Sequence, residues 1–126
     1  MSVIPYLTIT GGRGAEAADY YRTLFDGTEI ARMPAEDKKR LMHCQIGFAG
    51  GVIYLSDDFQ GRSGAPAMTS VFVGFDKPAA VDALAAKAQS MGATITMGPD
   101  DMFWGDRFVM FTDPFGHVWQ AGAAKG

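Results

Sequence analysis

The predicted secondary structure of this chain occurs twice in the same order, with a period of about 65 residues. Each half reads as one strand, one helix and three further strands. The two halves keep their register: Gly27–Ile30 and Gly92–Ile95 have the same spacing after the two helices, and Met33 and Met97 close the strands that follow. The repeat predicts an internal duplication and an α+β fold of two tandem βαβββ modules.

The first half opens with an alternating strand over residues 4–10, in which Leu7 and Ile9 face one side and Tyr6 and Thr8 the other. The elements predicted after it are a helix over 15–25 ended by Gly27, a strand over 28–33, a charged turn over 34–40, and strands over 41–48 and 52–56 joined at Gly50-Gly51. In the strand over 41–48, the alternation places Met42, Cys44 and Ile46 toward the core, and His43 and Gln45 on the other face.

The second half repeats this order after a polar segment that begins at Asp57. Its predicted elements are a strand over 69–75, a helix with Asp76 as N-cap and Gly92 as its stop, a strand over 93–97, a loop over 98–105 and a terminal hairpin. The hairpin tip is Asp113-Pro114-Phe115-Gly116, because Asp caps its own backbone, Pro presets φ and Gly relieves crowding. Gln120 follows among apolar neighbours, where a polar side chain indicates a pocket.

Length and composition favour one globular domain. The chain has 126 residues and 48% hydrophobic content, enough for one core. We expect a single domain over 1–126, with module one at about 1–57, a linker at about 58–66 and module two at about 67–126.

Charge and cysteine content exclude several classes of protein. The net charge is −3 and the 11 Lys and Arg residues are scattered, so nucleic acid is not an expected partner. A single Cys44 excludes an internal disulfide and a multi-Cys zinc site, and on its apolar face it reads as a small core residue. No basic and apolar leader or long apolar run is present, so we expect a cytoplasmic protein without a membrane partner.

Two motifs carry a resemblance to a known family. Residues 18–25 read Ala-Asp-Tyr-Tyr-Arg-Thr-Leu-Phe, and residues 104–119 hold Trp-Gly-Asp-Arg followed by Asp-Pro-Phe-Gly-His-Val-Trp. With the paired modules, they resemble the vicinal oxygen chelate superfamily of glyoxalases, bleomycin-resistance proteins and dioxygenases, in its PhnB-like, demethylubiquinone methyltransferase-like branch. The resemblance implies a glyoxalase-like cupped sheet with the active cleft inside the cup, and a homodimer.

The resemblance also implies where metal-dependent relatives hold their ion. Those positions fall near Tyr6 (or Pro5), Tyr54 (or Ser56), Ser70 and Gln120. Hydroxyls and one neutral amide would leave the charge of a dication uncompensated. We therefore expect no metal site and no other cofactor, and keep a divalent metal as the less favoured alternative.

The remaining polar and aromatic positions predict a pocket for a small-molecule ligand. The candidate ligand-binding residues are Tyr6, Thr8, Gln45, Tyr54, Ser70, Phe72, Trp104, Arg107 and Gln120. The strand residues among them could instead be half-buried sheet residues bonded to their neighbours. His43 is the candidate catalytic residue, as a general base, with a packed histidine as the alternative, and His117 reads as a structural residue of the hairpin.

The second module leaves two questions open. Phe103 and Trp104, in the predicted loop, either close over the mouth of the cup or pack against a second subunit. Arg107 either binds an anionic group of the ligand or pairs with Asp106 or Asp113.

A competing motif lies between the first strand and the first helix. Gly12 to Ala17 match the dinucleotide fingerprint G-x-G-x-x-A, but that site needs successive parallel βαβ crossovers. We therefore predict a small-molecule binding protein of the glyoxalase and bleomycin-resistance type. The alternatives are a metal-dependent lyase, isomerase or transferase, and a metal-independent enzyme that uses His43 with a tyrosine.

Overall fold

The computed structural model describes residues 2–61 and 68–125. The chain forms two compact units, Met1–Ala65 and Pro66–Gly126, referred to below as unit 1 and unit 2. Residues 62–66 of the predicted linker lie outside the described residues. Within the described ranges, no helix is long and apolar enough to cross a membrane.

Each unit contains one helix and four strands in the predicted order. Unit 1 consists of β1 (Tyr6–Ile9), α1 (Gly14–Leu24), β2 (Thr28–Pro34), β3 (Leu41–Phe48) and β4 (Gly51–Asp57). Unit 2 consists of β5 (Ser70–Gly74), α2 (Pro78–Ser90), β6 (Thr94–Asp101), β7 (Asp106–Thr112) and β8 (Val118–Ala124). The predicted α+β fold of two βαβββ modules is confirmed.

The two sheets have the same topology. The strand order is β1-β4-β3-β2 in unit 1 and β5-β8-β7-β6 in unit 2. In both units the first strand is parallel to the last, and the other pairs are antiparallel. In each unit the helix connects the first strand to the antiparallel meander and packs on one face of the sheet. The helix does not cover the other face.

Alternation along the strands divides each sheet into a core face and an outer face. In unit 1 the core face meets an apolar stripe on α1 formed by Ala17, Ala18, Tyr21 and Leu24, and its buried strand residues are Leu7, Ile9, Leu41, Cys44, Ile46, Ile53 and Leu55. In unit 2 the stripe on α2 is Val81, Leu84, Ala85 and Ala88, and the buried strand residues of that face include Val73, Val109, Phe111, Trp119 and Ala121.

The predicted placement of Met42 in the core is wrong. On β2, Met33 and Pro34 are adjacent, but their partners on β3 are His43 and Leu41, so Met42 is the extra residue of a bulge. The bulge turns Leu41 into the core and leaves Met42 about half exposed. Simple alternation cannot foresee this, because a bulge reverses the parity of every residue beyond it.

The turn between β3 and β4 is one residue earlier than predicted. Phe48 pairs with Gly51, so the two-residue loop is Ala49-Gly50, and not Gly50-Gly51. Both loop residues have positive φ, 51° and 75°, as a type I′ hairpin turn requires.

The helix ends differ from the predictions at two positions. After α1, the left-handed residue is Asp26 at φ 52°, while the Gly27 N–H donates to the Arg22 carbonyl at 2.8 Å. Gly27 is small for another reason, since a Cβ there would lie 2.9 Å from the Gly47 carbonyl oxygen. At α2 the N-cap is Lys77, and not Asp76, without a side-chain capping bond.

Strand β6 continues to Asp101 through the cis peptide Gly98-Pro99, so the first half of the predicted loop over 98–105 is strand. Its pairing with β7 shifts register twice, between Ile95 and Met97 and between Met97 and Asp100. These irregularities keep the edge strand paired across a proline, which the sequence pattern alone reads as a strand end.

Asp57 is the last residue of β4 and is buried, although in the sequence it begins a polar segment. Its carboxylate accepts hydrogen bonds from the Gly14 N–H at 2.8 Å and from the Leu41 N–H at 2.7 Å. One side chain therefore joins the start of α1 to the start of β3. A Cβ on Gly14 would overlap this carboxylate, which explains the glycine.

The predicted hairpin between β7 and β8 is confirmed. The Asp113 carboxylate accepts from the Phe115 and His117 backbone N–H groups at 2.8 and 3.1 Å, and from Trp119 Nε1 at 2.8 Å. Gly116 has φ 92°. The same carboxylate thus holds the turn and anchors the buried indole of the following strand.

Candidate ligand site

Five of the predicted site residues lie on the outer face of the unit 1 sheet, the face away from α1. These five residues are Tyr6, Thr8, His43, Gln45 and Tyr54. The strand register brings Tyr6 and Gln45 to the two sides of Tyr54. The sheet thus collects them on one surface.

His43 is hydrogen-bonded at both ring nitrogens. Nδ1 lies 2.9 Å from the Tyr6 hydroxyl, and Nε2 lies 3.1 Å from Nε2 of Gln45. A glutamine amide nitrogen can only donate, so Nε2 of His43 accepts that bond. A neutral imidazole with an accepting Nε2 carries its proton on Nδ1. With the amide nitrogen of Gln45 turned toward His43, this arrangement assigns the imidazole proton to Nδ1.

Tyr54 completes an aromatic group with Tyr6 and His43. Its ring is perpendicular to that of Tyr6, with centroids 5.9 Å apart, and lies edge-on to His43 at 4.8 Å. Tyr6 and His43 are tilted by 44° at 5.6 Å. Edge-to-face contacts of this kind are favourable for aromatic pairs. Tyr6, His43, Gln45 and Tyr54 are called the tyrosine–histidine cluster below.

The outer face around this cluster is uncharged. The outward positions described on β1 to β4 hold no carboxylate, ammonium or guanidinium group. The charged side chains Glu29 and Arg32 of β2 pair with core-face residues of β3, and Arg32 binds Asp19 of α1 at 2.9 Å. This surface can therefore offer aromatic contact and neutral hydrogen-bonding groups, but no counter-ion.

The corresponding face of unit 2 carries Ser70, Phe72 and Gln120. The Gln120 amide donates to the Ser70 hydroxyl at 2.8 Å, and Phe72 is the register partner of Gln120. A Cβ on Gly122 would lie 3.0 Å from the Phe72 ring, so the glycine leaves room for it. Gln120, unexplained in the sequence, has a hydrogen-bonding partner on the neighbouring strand.

Trp104 lies in the short turn between β6 and β7. Its indole nitrogen donates to the Asp106 carboxylate at 3.1 Å, and its ring is T-shaped on Phe108 at 5.7 Å. Phe103 beside it is 98% exposed. The turn thus carries one anchored and one exposed aromatic ring.

Arg107 lies on the core face of its sheet, whereas Gln120 lies on the outer face. Arg107 shares the parity of Val109 on β7 and binds Asp82 of α2 at 2.9 Å and Asp101 at 3.1 Å. The predicted pairing with Asp106 or Asp113 is therefore wrong, because strand parity turns the guanidinium toward the helix. Asp82 and Asp101 raise the pKa of this guanidinium above its ordinary value.

A groove of about 320 Å³ lies beside α2 in unit 2. Its lining residues are Asp82, Ala85, Ala86, Gln89, Ile95, Gly98 and Pro99. None of them was predicted as a site residue. Its lining is mostly small and apolar, and Asp82 is already paired with Arg107. The groove is therefore distinct from the outer faces described above.

The positions that would hold a metal in metal-dependent relatives do not suit one. In unit 1 they are Tyr6 and Tyr54, two phenols, and in unit 2 Ser70 and Gln120, a hydroxyl and an amide bonded to each other. Among the described residues of either unit, no three His, Cys, Asp or Glu side chains are grouped to hold an ion. The donor chemistry does not fit a catalytic dication.

Two other sequence features have structural explanations. Burial raises the pKa of the Cys44 thiol, with a further contribution from Glu29, so this thiol is the core residue that the sequence predicted.

The G-x-G-x-x-A match opens α1, but the Asp57 carboxylate already binds the Gly14 N–H there. An anionic cofactor would meet a carboxylate at that helix end.

In each unit, one neighbour of a predicted site residue was not predicted from the sequence. Met33 on β2 is the register partner of His43 and is exposed, and Phe108 underlies Trp104. Pairing the edge strand with its neighbour would have found Met33, since opposite residues share a face. Strand pairing could not have found Phe108, because its partner Trp104 lies in a turn between β6 and β7.

Comparison with known proteins gives consistent relationships. Residues 3–121 match the family model of the Glyoxalase/Bleomycin resistance protein/Dioxygenase superfamily. A Mycobacterium bovis protein is 34% identical over 124 residues, covering 94% of this chain and 80% of that protein. Protein PA1353 from Pseudomonas aeruginosa has a TM-score of 0.86 at 25% identity, with coverage of 100% and 99%. The PhnB protein from Bacillus cereus has a TM-score of 0.82 at 18% identity, with coverage of 98% and 100%. The chain belongs to the glyoxalase/bleomycin resistance protein/dioxygenase superfamily.

Proposed function

We propose that this protein binds a small organic molecule on the outer face of unit 1, without a catalytic metal. The observation that carries the proposal is the tyrosine–histidine cluster, in which three rings and one amide converge on one uncharged surface. Ligand sites typically combine aromatic walls with a few placed polar groups. This face has both.

The exposure of the cluster also supports binding. Tyr6 is 50% exposed, and His43, Gln45 and Tyr54 are only partly buried. A purely structural group on a sheet would gain most by full burial, since each aromatic ring brings a large apolar area. Rings held in a fixed arrangement but left partly open are preorganised for a ligand.

The same cluster supports a second candidate function, that of a metal-independent enzyme. An imidazole 2.9 Å from a phenol is an acid–base pair within proton-transfer distance. Binding is preferred because both ring nitrogens of His43 are already engaged with protein groups, which leaves none for a substrate. His43→Ala separates the two functions, since it should abolish turnover in an enzyme but only weaken affinity in a binding protein.

The proposal is tested with 9-fluorenone, an uncharged planar aromatic ketone, titrated into the untreated protein by isothermal calorimetry. We expect saturable binding, weakened in Tyr54→Ala, and recovery of the unchanged ketone after prolonged incubation. Metal content is measured on the same sample. Binding that is unaffected by Tyr54→Ala, or that follows added divalent metal in proportion, would overturn the proposal.

A further inference from the structure

We propose that the tyrosine–histidine cluster selects ligands that present a carbonyl oxygen, because its hydrogen bonds run in one direction and end in a donor. This inference rests on the proposed binding function and adds the chemical class of the ligand. The chain of donors begins at the Gln45 amide, passes through the His43 ring and ends at the Tyr6 hydroxyl.

The direction follows from what each group can do. Gln45 Nε2 donates to His43 Nε2, so the imidazole proton is on Nδ1. Nδ1–H then donates to the Tyr6 oxygen across the 2.9 Å contact. The Tyr6 hydroxyl therefore uses a lone pair toward His43, and its own hydrogen is directed to a partner outside the cluster.

The partner that suits this hydrogen is an acceptor on the ligand. Tyr6 is half exposed, so its hydroxyl is accessible from the outer face. A hydrogen bond from the imidazole polarises the phenol and strengthens it as a donor, as in other hydrogen-bonded chains. A ligand hydroxyl or amine used as a donor would compete with His43 for the phenol oxygen. A carbonyl oxygen makes the bond without that conflict.

The absence of charged side chains beside the cluster, among the described residues, also limits the class of ligand. Over the described strands of unit 1, the outward side chains beside the cluster are neutral, since Arg32 and Glu29 lie with the core-face residues. A carboxylate or phosphate held against them would lose water without gaining a cation. The edge-on rings of Tyr54 and His43 favour contact with a flat aromatic body. The geometry points to an uncharged aromatic ketone or quinone.

The test compares 9-fluorenone with fluorene, which has the same ring system and a methylene in place of the carbonyl. We expect the ketone to bind about three- to tenfold more tightly, the range of one net hydrogen bond. Tyr6→Phe should remove this ratio and leave fluorene affinity unchanged. Tyr54→Phe is the matched control, since it removes a phenol outside the donor chain and should preserve the ratio.

The tautomer gives a second, independent readout. In ¹⁵N correlation spectra of the imidazoles under mildly alkaline conditions, we expect Nδ1 of His43 to carry the proton. Gln45→Met keeps the side-chain length but removes the donor, and should move proton population to Nε2. The Tyr6 hydroxyl then turns toward Nδ1, so the preference for the ketone should fall in the same variant. If Gln45→Met both moves the proton to Nε2 and lowers the preference for the ketone, the proposed chain of hydrogen-bond donors is supported.

Four outcomes overturn the inference, and two of them also remove the proposed function. Equal affinity for ketone and hydrocarbon, or a proton on Nε2 of wild-type His43, removes the donor chain and leaves the binding function standing. Binding of neither compound, or binding that Tyr54→Ala does not weaken, removes the proposed function itself. If Tyr6→Phe does not fold, the Gln45→Met ratio decides between these results.

Discussion

The Tyr6 hydroxyl on β1 lies 2.9 Å from Nδ1 of His43 on β3, although β4 separates these two strands in the sheet. The contact therefore passes over Tyr54, the β4 residue whose ring lies edge-on to both. Such a bridge depends on the register of all three strands, because a slip of one residue would turn these side chains to the opposite face. The sheet positions the cluster as a unit.

Tyr54→Ala should weaken binding of 9-fluorenone more than any other single truncation on β4. The ring lies between Tyr6 and His43, at the centre of the proposed binding surface. Loss of one aromatic contact with the ligand, worth about 0.5–1.5 kcal/mol, predicts an affinity drop of about two- to tenfold. Isothermal calorimetry measures it directly.

Phe59→Ala is the matched control for this truncation. Phe59 is also a partly exposed aromatic residue of unit 1, but it follows β4 and its ring lies under the Arg40 guanidinium at 4.5 Å. Its removal should leave the ketone affinity within about twofold, in contrast to Tyr54→Ala. Equal losses in the two variants would mean that the outer face is not the binding surface.

Removal of divalent metal should leave both ligand binding and stability unchanged. The donors at the implied metal positions are phenols, a hydroxyl and an amide, none of which compensates a dication. After dialysis against a chelator, the melting temperature and the ketone affinity should match those of the untreated protein. A melting temperature that falls on chelation and returns with zinc, nickel or manganese would contradict the proposed metal-free site.

Asp57→Ala should be among the most destabilising substitutions in unit 1. It would leave the Gly14 and Leu41 N–H groups without their acceptor at a buried position. An unsatisfied buried donor costs about 1–3 kcal/mol, so two predict a loss of about 2–6 kcal/mol in the free energy of unfolding. Urea denaturation measures this loss.

An exposed carboxylate of unit 1 provides the control for Asp57. Asp19 accepts from the Arg32 guanidinium at 2.9 Å and its side chain is 61% exposed, so water can replace this bond after Asp19→Ala. We expect a loss of less than about 1 kcal/mol in that variant. If the two alanine variants lose the same stability, the buried hydrogen bonds of Asp57 are not the cause.

Most of the fold could be predicted from sequence because its signals are local. The strand Leu41–Phe48, the helix stop at Gly92 and the turn at Asp113 each follow from side chains within a few residues. The order of these elements, repeated twice, was sufficient for the fold class.

The wrong predictions concern residues whose contacts come from elements far away in the sequence. Asp57 begins a polar stretch, yet the backbone N–H groups that donate to its carboxylate are 43 and 16 residues away, at Gly14 and Leu41. Met42 has a core parity that a bulge reverses. Local composition cannot reveal either, since both depend on tertiary pairing.

The candidate site was predicted in part. Parity placed Tyr6, Thr8, His43, Gln45 and Tyr54 on one face, as the structure does. The bonds among them could not be predicted, because the pairing register of β1 with β4 decides which side chains meet. For Arg107 the sequence left a ligand anion or a salt bridge with Asp106 or Asp113 open, and the structure gives a salt bridge with a different partner, Asp82 of α2.

Asp37 should titrate well below the ordinary aspartate pKa of 3.8. The Arg40 and Lys39 backbone N–H groups donate to its carboxylate at 3.0 and 2.9 Å, and the Arg40 side chain adds a third bond at 2.8 Å. Carboxyl ¹³C shifts measure the pKa. Because the backbone bonds are the largest cause, Arg40→Ala should keep it below 3.8. A return to that value would assign the effect to the guanidinium.

The sign of the effect on stability follows from this lowered pKa. A carboxylate whose pKa is lower in the folded state stabilises the protein fully above its unfolded-state value, and this contribution is lost as pH falls through the folded-state pKa. Between about pH 5 and about pH 2.5, the wild-type protein should therefore lose more unfolding free energy than Asp37→Asn, which cannot titrate. Urea denaturation at both pH values makes the comparison. Parallel losses in the two proteins would show that the loop around Asp37 retains this pattern in the unfolded chain.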